Sequence, residues 1–344
     1  MATLKHLFIL LVPTGTPFSF TLSMRKVIAS IMLVAVVDAS TPLRAADSKE
    51  SNHHIGKALP DYVTGDECLF CHRRDIASGW KVNAHQLTLR PLFAAPNVEE
   101  AVEADPKLQS FSRQVQFVLG KKEHLRLLKK STAYGQLELL TAHLAASTDD
   151  TKKILITNEG PFHWDKNTFS QQCAGCHTTA VDSRTQSFSA TSIDCYACHG
   201  VVDLEHTNDP SLVHLTKKRP HSPQLIGETC GQCHIRTGKS KTSGLPYANN
   251  YVVGDDLFPD FQVDFSGTTL ALAPPRERHI LVNIKEGRNN NSAETCLSCH
   301  NVHRASGRKH RRVKKSNYCF ICHDPNDMKL VYNRSEKHHS LCGY

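Results

Sequence analysis

Apolar and polar residues alternate in three short stretches near the middle of the chain: Val115-Gln-Phe-Val-Leu-Gly120, His124-Leu-Arg-Leu-Leu128 and Gln136-Leu-Glu-Leu-Leu140. A period of two predicts strands. Ala133-Tyr-Gly135 between the last two suits a tight turn, so a small β-hairpin insert is expected around 113–160. Elsewhere the periodicity is short. Trp80-Lys-Val-Asn-Ala-His85 reads as helix, and Gly-, Pro- and Asn-rich loops occupy 242–260 and 287–292.

The longest apolar run, Val27 to Val37, follows Arg25 and Lys26 and precedes Leu43-Arg44-Ala45-Ala46. A basic start, a short apolar centre and small residues near a cleavage point describe an export signal. The run falls short of the roughly 20 residues that span a bilayer. A second apolar patch, Leu7 to Val12, lies upstream, and the preferred reading starts translation at Met24. The signal is assigned to 1–45. The first cysteine is Cys68, so none stands where a bacterial lipid anchor attaches. The mature chain is expected to be periplasmic or otherwise exported, and not integral to the membrane.

The composition then changes the picture. Among 344 residues there are 13 cysteines, 21 histidines and only four methionines. Twelve of the cysteines fall in six copies of one string, Cys-x-x-Cys-His. The copies are Cys68/Cys71/His72, Cys173/Cys176/His177, Cys195/Cys198/His199, Cys230/Cys233/His234, Cys296/Cys299/His300 and Cys319/Cys322/His323. Structural zinc sites need four ligands and no histidine after every second cysteine. A thioredoxin-type dithiol needs one Cys-x-x-Cys, and disulfide frameworks do not repeat a five-residue string. The string is the attachment signature of c-type haem. Two thiols three residues apart form thioethers to the two vinyl groups, and the adjacent histidine lies under the iron as proximal ligand. The expected cofactors are six covalently bound haem c groups.

Each iron has a second axial position. Met1, Met24 and Met32 lie in the leader, which leaves Met328 as the one methionine able to ligate. Histidine is plentiful, so bis-histidine ligation is expected for most haems, at lower potential than histidine–methionine ligation. The distal candidates are His85 after the first motif, His163 before the second, His206 after the third, His279 before the fifth, His303 after the fifth, and His338, with its neighbour His339, after the sixth. His221, His214, His124 and His143 form a second group.

Hydrophobic residues make up 40% of the chain, a thin supply for an aliphatic core of this length. The macrocycles are expected to fill much of the interior. The fold class that follows is mainly α with extensive loops, packed around haems, with the small hairpin insert. The expected organisation is a signal peptide over 1–45, a first haem unit over 46–92, a haem-free insert over 93–170 and a five-haem region over 171–344. Charge adds little. From a net +8, the leader removes Lys5, Arg25, Lys26 and Arg44 against Asp38, leaving +5. Each ferric haem adds about −1 through its propionates, which brings the holoprotein near neutrality. The basic run Arg304 to Lys315 could dock an acidic redox partner, but the preferred reading is a solvated loop or a propionate counter-charge. No fold or aromatic platform for nucleic acid accompanies it.

Tyr62-Val-Thr-Gly-Asp-Glu-Cys68 through Trp80 and His85 resembles the opening of the family that includes the tetrahaem partner of hydroxylamine oxidoreductase. Cys195-Tyr-Ala-Cys198-His199-Gly200 is similar to that family's CxxCHG element, with Val201-Val202 in place of the usual Pro-Gly. Cys296 to His323, with His303 inside it, resembles the doubled CxxCH module of many respiratory cytochromes. The resemblance implies a mostly helical, loop-rich fold with stacked haem pairs. Relatives often continue after a His-His pair into another motif, whereas His338-His339-Ser-Leu-Cys342 here is followed by Gly343 and Tyr344. Cys342 is either the stub of a lost or truncated motif, or a free terminal thiol or half of an intermolecular disulfide.

Two functions compete, and a third, a subunit of a larger conducting assembly, stands behind them. In the first, the protein relays electrons between respiratory redox proteins, with a membrane-associated quinol oxidoreductase or a multihaem assembly as candidate partner. In the second, one haem keeps an open distal site and acts on a small nitrogen or sulfur compound. The CxxCK attachment site of related nitrite reductases does not occur, and the relay is the preferred reading.

Overall fold

The computed structural model describes residues 59–60, 65–121, 124–147, 153–291 and 293–304. The expected leader, the sixth motif (Cys319, Cys322, His323) and His338 lie outside the described residues.

Six strands form the main sheet: β1 (Leu89–Pro91), β2 (Phe117–Lys121), β3 (His124–Lys130), β4 (Leu137–Ala146), β5 (Ile154–Ile156) and β6 (Trp164–Asp165). They run in the order β1-β2-β3-β4-β5, with β6 pairing β4 beside Leu139 and Leu140, and every pairing is antiparallel. The sheet therefore draws in residues on both sides of the expected hairpin. Gly120 makes the β2–β3 turn possible. Its φ of 84° is left-handed, and a Cβ there would collide with the His124 carbonyl.

Both faces of this sheet are covered, which explains why the strand sequences carry paired leucines instead of strict alternation. The pairing of β3 with β4 shifts between Arg126 and Leu128. Around this irregularity the adjacent Leu127 and Leu128 are both fully buried, on opposite faces. Leu127 joins Val118, Leu125, Leu140 and Leu144 against helix α1 (Pro96–Ala104), whose Val98 and Val102 sit one turn apart on its buried side. Leu128 joins Leu89, Leu119, Leu137 and Leu139 against Phe169, Ala174 and Tyr247. Ala174 lies inside the second motif, so this face of the sheet is the wall on which that motif rests.

A third apolar cluster organises the fourth motif. Helix α2 (Pro223–His234) starts with a Ser222 cap and a proline in its first turn, and it ends in Cys230-Gly-Gln-Cys233-His234. It packs on helix α4 (Pro275–Asn289), where a Cβ on Gly227 or Gly231 would lie 3.6 or 3.1 Å from Ile284. Ile235, Leu257, Phe261, Leu281 and Ile284 complete the cluster. The short α3 (Gly267–Leu272) is capped by Ser266. Two further pairs of strands, β7 (Thr178–Val181) with β8 (Phe188–Thr191) and β9 (Lys239–Ser240) with β10 (Phe261–Gln262), connect the motif-bearing turns. Among the described residues no helix is long and apolar enough to cross a membrane.

Candidate haem-binding sites

Each described motif is a turn of helix: Cys68–Cys71, Ala174–His177, Tyr196–His199, the end of α2, and Cys296–Cys299. One helical turn puts residues three apart on one face, so both thiols of a motif can reach one edge of a macrocycle while the histidine turns beneath it. All ten described cysteines are free thiols. Burial pushes the Cys173 and Cys198 thiols up to about 11, so both are protonated at neutral pH. No group of described residues has the makings of a histidine, cysteine or carboxylate metal cluster.

The motif turns are packed against one another. Cys68 and Cys195 are hydrogen-bonding neighbours, as are Cys176 with Cys233 and Cys230 with Cys296. Gly65 N–H donates to the Asp194 carboxylate at 2.8 Å, holding the first motif to the third. Gln232 Nε2 donates to the Ala197 carbonyl at 3.2 Å, joining the fourth to the third. Cys233 Sγ lies 3.7 Å from the Gly175 carbonyl, joining the fourth to the second. The fourth motif thus touches the second, third and fifth.

The histidines decide whether iron fits. Imidazole–metal bonds of about 2.0 Å, with about 1.1 Å more to each ring centre, place two axial imidazoles roughly 6.2 Å apart. Three motif histidines face a second imidazole near that separation. His72 and His206 have ring centres 6.3 Å apart, and His199 and His303 are 5.8 Å apart. His234 and His85 are 6.2 Å apart.

The other ring nitrogen is anchored in the manner of a metal ligand. His199 Nδ1 lies 2.7 Å from the His214 carbonyl, and His206 Nδ1 lies 2.6 Å from the Asp203 carbonyl. His85 Nδ1 is 3.2 Å from Asn83 Oδ1, His72 Nδ1 is 3.4 Å from Asp75, and His177 Nδ1 is 2.6 Å from Thr88 Oγ1. Each of these contacts is made through Nδ1, the nitrogen other than the one a haem iron would take. Burial lowers His303 to about 4, with His199 adding to the effect. Burial followed by the Arg236 charge lowers His177 to about 4. Both rings are therefore neutral at pH 7, the form that binds metal. The free thiols, the facing imidazoles and the anchored Nδ1 atoms all fit covalent haem.

Three of the expected distal residues, His85, His206 and His303, stand opposite motif histidines. His163 and His279 are exposed, and neither faces a motif histidine at axial separation among the described residues. His300 belongs to the fifth motif turn. His221 turns Nε2 to the Thr216 carbonyl at 2.6 Å. The anchors Thr88, Asp203 and Asn83 escaped the sequence reading, because no spacing rule ties them to a motif.

A model of the doubled CXXCH motif matches residues 289–328, which contain the fifth and sixth motifs. The crystal structure of the outer cell wall cytochrome OcwA superposes with a TM-score of 0.50 at 21% identity, over 76% of this chain and 67% of that one. The chain has the attachment motifs and the fold of a multihaem c-type cytochrome. An undecahaem cytochrome from the S-layer of Carboxydothermus ferrireducens aligns at 15% identity and a TM-score of 0.43, over 78% of this chain and 44% of that one. No curated protein matches in sequence.

Proposed function

We propose that the chain is an exported cytochrome with six haems that passes electrons between redox proteins, its irons mostly closed by two histidines. The observation that carries this reading is the trio of imidazole pairs at 5.8, 6.2 and 6.3 Å. On it, His206 closes the iron of His72, His303 closes that of His199, and His85 closes that of His234. When bound, each haem supplies a one-electron ferric/ferrous centre, and closed axial positions favour relay over substrate binding. The protein's own contribution is spacing and orientation. Gln232, Cys233 and Cys230 hold the fourth motif against three others, which supports a path that branches there. The outer cell wall location in the name of OcwA supports export.

The test is the visible spectrum of the purified ferrous protein with and without carbon monoxide. Bands that carbon monoxide leaves unchanged support the relay. A partial shift reveals an open iron and favours an oxidoreductase acting on a small nitrogen or sulfur compound. A matured protein without haem bands overturns the proposal.

A further inference from the structure

The side chain of Asn83 is 2% exposed and uses both ends of its amide. Its Oδ1 accepts the His85 backbone N–H at 2.9 Å and lies 3.2 Å from His85 Nδ1. Its Nδ2 donates to the Val302 carbonyl at 2.7 Å and to the Arg304 carbonyl at 2.5 Å, the carbonyls of the two residues that flank His303. Asn83 itself is held by its backbone N–H to the Trp80 carbonyl at 2.8 Å. The Trp80 ring, 8% exposed, lies 6.4 Å from the ring of His85 and 6.4 Å from that of His303. Gly79 completes the contact, since a Cβ there would lie 2.6 Å from the His303 carbonyl oxygen. The turn 79–85 and the segment 302–304 are thus locked together through one buried amide.

We propose that Asn83 is a positioning residue that sets two axial histidines at once, holding His85 toward the iron of His234 and His303 toward the iron of His199. The inference rests on the axial pairing proposed above. An acceptor at His85 Nδ1 fixes the tautomer that turns Nε2 to the metal and makes the ring a stronger donor to it. Two donors straddling His303 fix the backbone from which its ring projects. A buried amide with all these bonds made is costly to alter, because any loss leaves peptide carbonyls or an imidazole N–H without a partner. The two irons are therefore not ligated independently: one side chain couples them.

The amide also separates its two jobs chemically. Asn83→Asp keeps an acceptor for His85 but faces the Val302 and Arg304 carbonyls with a carboxylate, which cannot donate to them. Asn83→Ala removes both arms. Gly79→Ala presses on the His303–Arg304 backbone.

The experiment uses the full holoprotein, with haem content measured first, then carbon monoxide difference spectra and a spectroelectrochemical titration. Asn83→Ala is expected to open about two haems to carbon monoxide. Asn83→Asp is expected to open about one and to lower the potential of another, because a carboxylate partner makes His85 a stronger ligand. Gly79→Ala is expected to open about one. Full haem loading with no carbon monoxide response and no shift in potential in the Asn83 variants overturns the proposal. If the Asn83 variants fail to mature, an unchanged Gly79→Ala protein overturns it instead. His85→Ala and His303→Ala serve as controls. Should carbon monoxide ignore those as well, the axial pairing itself is wrong, a failure distinct from that of the clamp.

Discussion

The rings of His199 and His303 lie parallel to within 19°, their centres 5.8 Å apart, although one ends the third motif and the other follows the fifth. The same crossing recurs in the other two pairs. His206, after the third motif, faces His72 of the first, and His85, after the first motif, faces His234 of the fourth. On the proposed pairing, none of the three distal histidines serves the motif it follows. Ligation on this pattern threads the first, third, fourth and fifth motifs into one unit.

Removing a distal ring should open a particular iron. Single substitutions His85→Ala, His206→Ala and His303→Ala are each expected to make about one haem in six responsive to carbon monoxide in the ferrous state. His163→Ala and His279→Ala, at exposed positions that face no motif histidine among the described residues, are expected to leave the spectrum unchanged. Difference spectra of the five variants check the assignment. A response from His163→Ala equal to that from His303→Ala would contradict it.

The motifs were legible in the sequence because covalent attachment is written in contiguous residues, while the anchors were not. Thr88 beside His177 and Asn83 beside Val302 are brought there by tertiary folding, and no local period records such contacts. His85, His206 and His303 could be named as candidates from position alone. Which motif histidine each one faces could not, because the crossing between motifs is a property of the fold. The sheet was partly legible. Alternation marked the segments of β2, β3 and β4, but β1, β5 and β6 are three residues or fewer, too short for a period to emerge. The paired leucines of β3 and β4 reflect burial on both faces, which a single hairpin does not provide.

Cofactor attachment should be coupled to folding, since the facing imidazoles come from distant segments that an axial iron would tie together. Replacing Cys230 and Cys233 together with alanine removes one attachment point in the middle of the motif cluster. The product is expected to be cleaved far faster than the parent in limited proteolysis around 200–304. The sheet region 89–146 has its own apolar clusters and should persist as a protected fragment. Mass spectrometry of the fragments distinguishes this from uniform loss.

The sheet core itself should behave as an ordinary close-packed interior. Leu128 is fully buried between the sheet and Phe169. Leu128→Ala is expected to cost about 2–5 kcal/mol through lost burial and the cavity left behind. Tyr134 is 95% exposed in the β3–β4 turn, and Tyr134→Ala should change stability by less than about 0.5 kcal/mol. Thermal denaturation followed in the far ultraviolet checks both, and equal effects would mean that the two-faced packing is wrong.

The His177 ring has a hydroxyl as its anchor. Thr88 Oγ1 lies 2.6 Å from His177 Nδ1, and an acceptor there strengthens the imidazole as a donor to ferric iron. Thr88→Val keeps the shape and deletes the acceptor. The expected result is one haem with a raised potential and unchanged haem content, read by spectroelectrochemical titration. A uniform shift of all components would point to a global change instead.

The place of the fourth motif makes the sharpest prediction about electron flow. Its turn contacts the second, third and fifth motifs through Cys233, Gln232 and Cys230, so on the proposed relay electrons entering at any of these would have a short step to a haem held by His234. Replacing its distal ligand by methionine, His85→Met, should raise that iron's potential, because thioether ligation favours the ferrous state. The junction then becomes a sink. In a reductive titration with a chemical reductant, a component of about one sixth of the total absorbance change is expected to separate at high potential. At substoichiometric reductant the first electron should settle there within the mixing time, and the remaining haems should exchange with one another more slowly than in the parent. If the high-potential component appears but equilibration among the others keeps its parental rate, the path runs around the fourth motif and the branch point lies elsewhere.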